Sequence, residues 1–419
     1  MMEQGGEILF LAHRVPFPPN RGDKIRAHHL LKTLAKIAPV HVGCLAENAE
    51  DRAGIADLER IAATYCVPDR TKPLVLAGCE ALMKRLPVSL TAFHSAKLED
   101  WVRQTLANRP IAAIVVFSGQ MGQYVPDEFT GRVVIDLCDV DSAKFASYAA
   151  AGERVWLNAR EARLLARTEE RLGRRADACV LITEAEAELY RSRLTDPALV
   201  NVQVIGNGID ADFFDPAKSA PHPDLAANAG PHFTFTGQMD YRPNEQAAIW
   251  AIDNLLPLLQ AHWPSAQMHI VGRNPTRALI ARKGRSGANI WGEVPDVRPF
   301  IAGADCVIAP LMIARGVQNK VLEAMAMARP VLLTTDAATG IAATDDAEWL
   351  VEPADPAAMA ARAAHLLADR AKAQAIGVAA RRFVLAHHSW PAMLEPLAEI
   401  LQGSCSYANT ARSETRNAA

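Results

Sequence analysis

Short β-branched runs, most of them continuously apolar, alternate with longer helical patterns along nearly the whole chain, and this alternation is its strongest constraint. The first series of strand candidates is Glu7–Ala12, Val40–Leu45, Ala63–Val67, Ala113–Ser118, Val133–Leu137, Cys179–Thr183 and Val202–Ile205. A second series follows at Phe233–Thr236, Met268–Val271, Asn289–Trp291, Asp305–Ala309, Val331–Thr334 and Trp349–Val351. Runs without polar alternation fit strands covered by helices on both faces, as in parallel sheets. Two such series predict an α/β protein of two doubly wound units.

Between the series, residues 215–231 contain Pro216, Pro221 and Pro223 and show no apolar period, which reads as a linker. The expected organisation is a first domain over 1–214, a second over 232–385 and a C-terminal helix over 386–402 returning to the first. Small and polar residues over 403–419 read as a disordered tail.

Composition excludes several classes. Lysine plus arginine (44) nearly balances aspartate plus glutamate (47), so the chain carries no overall nucleic-acid footprint. Seven scattered cysteines without a Cys-x-x-Cys pair argue against a disulfide framework or zinc knuckle, and for reduced thiols in the cytoplasm. Residues 8–12 are too short an apolar run for a signal sequence, and no stretch reaches the length of a membrane span.

Ligands of open α/β sheets bind outside the carboxyl ends of the strands. Three second-half strands end in glycine, at Gly237, Gly272 and Gly292, where close approach of backbone or ligand is open. Ordinary turn chemistry is the plainer reading for the last two.

The segment from Ala314 to Pro330 is the most informative. A helix is predicted from near Gln318 to Arg329-Pro330, with Asn319, Lys320 and Glu323 on its polar face. The glycine loop at Arg315-Gly316 and the helix N-terminus would offer N–H groups to an anion, with Lys320 adding charge and Glu323 able to accept from a ribose diol. An amphipathic helix with one ion pair explains the same letters equally well.

This segment, with Asn207-Gly208-Ile209-Asp210 and the run Phe235 to Asn244, resembles the retaining glycosyltransferases of family four, which have the GT-B fold. The subgroup it resembles most is the bacterial sugar transferases of exosortase and exopolysaccharide loci. The resemblance covers roughly Glu7 to Gln402. It implies two Rossmann-like domains facing across a cleft, and sugar transfer from a nucleotide diphosphate sugar to a glycan or lipid-linked acceptor, with retention and without a metal or other cofactor. Glu323 matches the second glutamate of the family's Glu-x7-Glu pattern, which holds the ribose. Arg315 stands where the first glutamate would be, and Gln238 and Asn244 where the family has an Arg-x5-Lys pair. Arg242 and Lys320 are candidates for the missing charge.

In the first half, Gly22 resembles the family's glycine loop after the first strand. Asp23 reads as a helix cap, and Lys24 and Arg26 carry no assignment. Asp139 and Asp141 stand near where the family often has a donor-sugar histidine, and are catalytic candidates. Capping by Asp141-Ser142 is the plainer reading. Asp139-Val140-Asp141 also spells the metal motif of GT-A transferases, but so does Asp210-Ala211-Asp212, and a GT-A enzyme would not need a second α/β series.

The stretch Glu153–Arg175 is helical and basic, with seven arginines against four glutamates. A solvated helix packed on its sheet is the first reading, and peripheral contact with the inner membrane the second. Two rivals to the transferase stay open: a nucleotide-sugar epimerase or hydrolase of the same fold, and a non-catalytic nucleotide-sugar-binding partner in polysaccharide assembly.

Overall fold

The computed structural model describes residues 5–314 and 317–402. The chain forms two compact units: residues up to Asn207 with those from Met393 onward, and Gly208–Ala392.

In the first unit, seven strands form one sheet in the order β3-β2-β1-β4-β5-β6-β7. They are β1 (Glu7–Ala12), β2 (Val40–Gly43), β3 (Thr64–Cys66), β4 (Ile111–Phe117), β5 (Arg132–Cys138), β6 (Ala178–Leu181) and β7 (Val202–Val204). All pairings are parallel, with Ile8 facing Val40 on one side and Ala113 on the other. Every residue of β1 is buried, which explains why its sequence shows no alternation.

The second unit holds β8 (His232–Thr236), β9 (Gln267–Val271), β10 (Ala288–Gly292), β11 (Cys306–Ala309), β12 (Val331–Thr334) and β13 (Leu350–Glu352). Their order is β10-β9-β8-β11-β12-β13, again all parallel. In each sheet the order reverses beside its first strand, between β1 and β4 and between β8 and β11. Those reversals are where open parallel sheets leave a crevice for ligand.

The proline-rich segment 215–231 is part of the second unit. Pro216 and Pro223 each open a short helical turn, as proline's fixed φ allows. Leu225 buries against Val271 and Phe300. One apolar residue anchors the stretch, too few to register as a period.

The predicted helix after β11 spans Asn319–Ala326, ending three residues before Arg329. Ala328 turns left-handed (φ 53°), and the Arg329 and Ala328 amides return to the Ala324 and Met325 carbonyls. This is a Schellman ending in which alanine takes the place usual for glycine. Pro330 disfavours helical geometry at Arg329, so the turn must come earlier.

Further on, the Glu395–Gln402 helix packs beside Gly22–Ile37 in the first unit, and Arg132 donates to the Ile400 carbonyl. The tail 403–419 lies outside the described residues. Among the described residues no helix is long and apolar enough to cross a membrane.

Candidate functional site

At the β8/β11 reversal, two loops converge. The chain leaves β8 through Gly237, whose backbone abuts that of Gly272 at the end of β9. A Cβ on Gly272 would lie 1.6 Å from the Gly237 carbonyl oxygen, so this glycine is required by backbone–backbone approach. Gly292 has φ 74°, and a Cβ there would meet only Pro275 at an ordinary 3.9 Å, which is turn chemistry alone.

Past Gly237 the loop runs into the Arg242–Trp250 helix, where Asn244 is buried. Its amide nitrogen donates to the Gln238 carbonyl at 2.9 Å, and its oxygen accepts from the Lys320 ammonium. Lys320 Nζ also sits 5.0 Å from the centre of the Phe235 ring. A Cβ at Gly237 would be 2.9 Å from Asn244 Nδ2 and 3.3 Å from Lys320 Nζ, so glycine keeps this corner open.

Lys320 and Glu323 lie one turn apart on the Asn319–Ala326 helix. Burial pushes the lysine down to about 8, with Glu323 opposing, and raises the glutamate to about 7, with Lys320 opposing. The Glu323 carboxylate takes no hydrogen bond from a described residue. Largely enclosed, with Lys320 bonded to Asn244 and Glu323 bonded to no described residue, the pair is poised for a ligand with both anionic and hydroxyl groups. Beside it, Tyr241, Pro243, Asn244, Leu311, Ile313, Ala314 and Gln318 line a cavity of about 180 Å³. That is smaller than the roughly 300 Å³ at which whole-ligand pockets begin, and suits part of a ligand, such as its phosphates.

Of the other candidates, Asn319 is exposed, and Arg242 is exposed in the first turn of its helix. Arg315 and Gly316 lie outside the described residues. Asn244 was noted only as a departure from a resemblance; its hold on Lys320 is a contact across the fold that no local pattern announces.

Gly22 opens the Gly22–Ile37 helix, and a Cβ there would meet nothing within 4 Å. Asp23 is not the cap: Arg21 occupies that position, and Asp23 instead pairs with His13 and Arg14 at the end of β1. The His13 bond, then Arg14, holds its carboxyl far below the usual range. Lys24 is buried on Asp51 at 2.5 Å. Arg26 is buried too, bonded to Asp136 at 2.8 Å, the Ile205 and Gly206 carbonyls, and Asn207 Oδ1. Both are structural.

Asp139 and Asp141 belong to the first unit, Lys320 to the second. Desolvation raises both carboxyls, with Glu186 adding repulsion. Capping by Asp141-Ser142 is not what the structure contains. Val140 is the cap residue and offers no side-chain bond; Glu169 reaches over from the Val155–Arg175 helix to accept Ser142 N at 2.9 Å and Oγ at 2.6 Å. Glu161 of the same helix likewise accepts Val88 N and Ser89 N at the start of the Val88–Ala92 helix. Two of the four glutamates set against the arginines in sequence are thus buried caps. Among the described residues no group of three or more His, Cys, Asp or Glu could hold a metal ion.

Residues 230–369 match the family described as "Glycosyl transferases group 1". No curated protein matches the chain in sequence. Solved structures share its fold, two Rossmann-like parallel-sheet units of the GT-B type. A sucrose-phosphate synthase from Thermosynechococcus elongatus is 18% identical, with 95% of this chain and 99% of that one covered at a TM-score of 0.54. Anabaena Alr3699/HepE in complex with UDP is 16% identical over 95% and 100%, at 0.57. A glycosyltransferase from Rickettsia africae is 13% identical over 96% and 100%, at 0.57.

Proposed function

We propose that the protein is a retaining glycosyltransferase that moves a sugar from a nucleotide diphosphate sugar to a glycan or lipid-linked acceptor in exopolysaccharide or cell-surface polysaccharide synthesis. The observation that carries this reading is the Asn244–Lys320–Glu323 cluster at a sheet reversal, inside the segment that matches the glycosyl transferase family. A uridine nucleotide is the first donor to try, because Anabaena Alr3699/HepE has been crystallised with UDP and with UDP-glucose.

In this reading the diphosphate lies against Lys320 and the N-terminal amides of its helix. Negative charge grows on that diphosphate as the sugar leaves, so cation and amides stabilise the transition state more than the ground state. Glu323 accepts the ribose hydroxyls. Asp139 or Asp141 contacts sugar or acceptor hydroxyls. No carboxylate is assigned as a covalent nucleophile, and attack comes from the face the diphosphate leaves, assisted by its oxygen. The reaction calls for no metal, since Lys320 and the helix amides meet the charge.

The test is the unfolding temperature with UDP, GDP, ADP and their sugar conjugates, beside Glu323→Ala. Ligand at about 100 times its Kd should add roughly 2.7 kcal/mol, and a Glu323-dependent response to one diphosphate fixes the donor class. No response to any of them overturns the reading. Gln238 and Asn244, uncharged where the resemblance expects a cation pair, favour a second reading as a binding partner without turnover. It predicts the same donor response with no sugar transferred to any glycan or lipid acceptor supplied.

A further inference from the structure

The Leu74–Lys84 helix of the first unit is built inside out. Its small residues Ala77 and Ala81 are fully buried, while Leu74, Val75, Leu76 and Met83 are 60–79% exposed. Val75, Cys79, Leu82 and Met83 recur at i, i+4, i+7 and i+8, one continuous face. Single exposed leucines are normal on a protein surface; a whole helical face of them is not.

The surroundings are basic. Glu80, the only acid in the helix, has both oxygens engaged, by Lys72 at 2.7 Å and Lys84 at 2.8 Å. Arg85 follows, exposed. Arg160 of the Val155–Arg175 helix donates to the Ala81 carbonyl at 2.7 Å and to Leu86 at 3.1 Å, tying the two helices together. On the same face of that second helix lie Trp156, 68% exposed, and the exposed Arg163 and Arg167, which make no ion pair with a described residue. Its two buried glutamates are turned inward as caps, so the outward charge is more positive than its composition.

We propose that this paired surface docks the protein on an anionic lipid bilayer, the Leu74–Lys84 helix entering the headgroup and upper acyl region and the arginines meeting lipid phosphates. Charge complementarity selects this occupant: an apolar helix and a tryptophan rimmed by unpaired arginines matches the profile of an interfacial helix. The proposal is independent of the donor-site reading, and either can fail alone.

The test is co-sedimentation of the full chain with phosphatidylcholine vesicles, with and without phosphatidylglycerol. Binding should require phosphatidylglycerol and weaken with salt. Leu76→Asp with Met83→Asp, and separately Arg163→Glu with Arg167→Glu, should each lower the partition constant by about tenfold or more. Wild-type melting curves for these variants establish that they fold. An environment-sensitive dye on Cys79, in a Cys405→Ser background, should shift to the blue with phosphatidylglycerol vesicles. Absence of vesicle binding, or folded Leu76→Asp/Met83→Asp protein that binds as the wild type does, overturns the proposal. So does a wild-type dimer that the same variants dissociate, which would assign the face to a second copy of the chain.

Discussion

The Asn244 amide oxygen accepts the Lys320 ammonium while its nitrogen is spent on the Gln238 carbonyl. Lys320 is therefore held in place by a neutral group, which does not offset its charge. Asn244→Ala should release the lysine and weaken UDP binding by about fivefold to tenfold. Asn244→Asp should weaken it further, because a carboxylate there neutralises the cation. Titration calorimetry of the two variants distinguishes positioning, in which Asp is worse than Ala, from mere filling of space, in which Asp is the better mimic.

Nucleotide affinity should pass through a maximum between pH about 7 and about 8. Below that window Glu323 is protonated and loses its strength as an acceptor for ribose hydroxyls. Above it Lys320 loses the proton that attracts phosphate. Binding isotherms across this range check it; Glu323→Gln should abolish the acid limb and leave the alkaline one.

Glu323 also sets a stability slope. Its folded pKa, about 7, lies above the ordinary 4.5, so the folded protein favours the protonated form. Stability from this group is full below 4.5 and declines as pH rises through about 7. Glu323→Gln should remove that decline and raise stability above pH 7 by up to about 3 kcal/mol, while impairing nucleotide binding. Urea unfolding of both proteins at low and high pH reads the slope.

Arg26 is the buried cation that joins the end of β5 to the exit from β7. Arg26→Ala leaves Asp136 buried and unpaired, and should cost about 3–5 kcal/mol in urea unfolding. Arg26→Lys should recover only part of this, because an ammonium cannot serve the carboxylate, two carbonyls and Asn207 in their fixed directions.

Two glycines make a paired test. Gly272→Ala sets a Cβ 1.6 Å from the Gly237 oxygen at φ 152° and should prevent stable folding. Gly22→Ala meets no neighbour and should change stability by no more than about 0.5 kcal/mol. A loss of donor binding or turnover in a normally melting Gly22→Ala protein would mean that ligand fills the space beside it.

The strands were legible because burial on both faces favours apolar and β-branched residues, with the few polar ones such as His232 and Thr234 hydrogen-bonded inside. β1 and β8 are both buried along their whole length, and the Ile8–Ala12 run of β1 says so, whereas β8 alternates Thr and Phe. Helix ends were less legible: Ala328 adopts the left-handed turn under the combined demand of Pro330 and of Gly377, whose missing Cβ lets the Arg370–His387 helix lie against the Ala328 carbonyl. Lys320 and Glu323 could be picked out by type and spacing, whereas Asn244 reaches Lys320 across 76 positions. Charged residues whose partners are distant were not legible: Lys24 and Arg26 drew no assignment, and Glu161 and Glu169 were read as part of a solvated helix. Arg26, Lys24, Glu161 and Glu169 look like surface residues until the backbone groups they satisfy are brought to them by the fold. The Leu74–Lys84 helix drew no reading from the sequence, and only the fold shows that its apolar face is turned outward.

Glu161 and Glu169 sit eight residues apart on one helix and each completes the start of another, at Val88 and at Ser142. Neither the Val88–Ala92 nor the Asp141–Ala150 helix has a side-chain cap of its own. The long helix is therefore a ruler: removing a single residue between the two glutamates would rotate one of them by about 100° and strand its client amides. The three helices should accordingly open together in hydrogen exchange, as one cooperative unit whose length is measured by the spacing of two carboxylates.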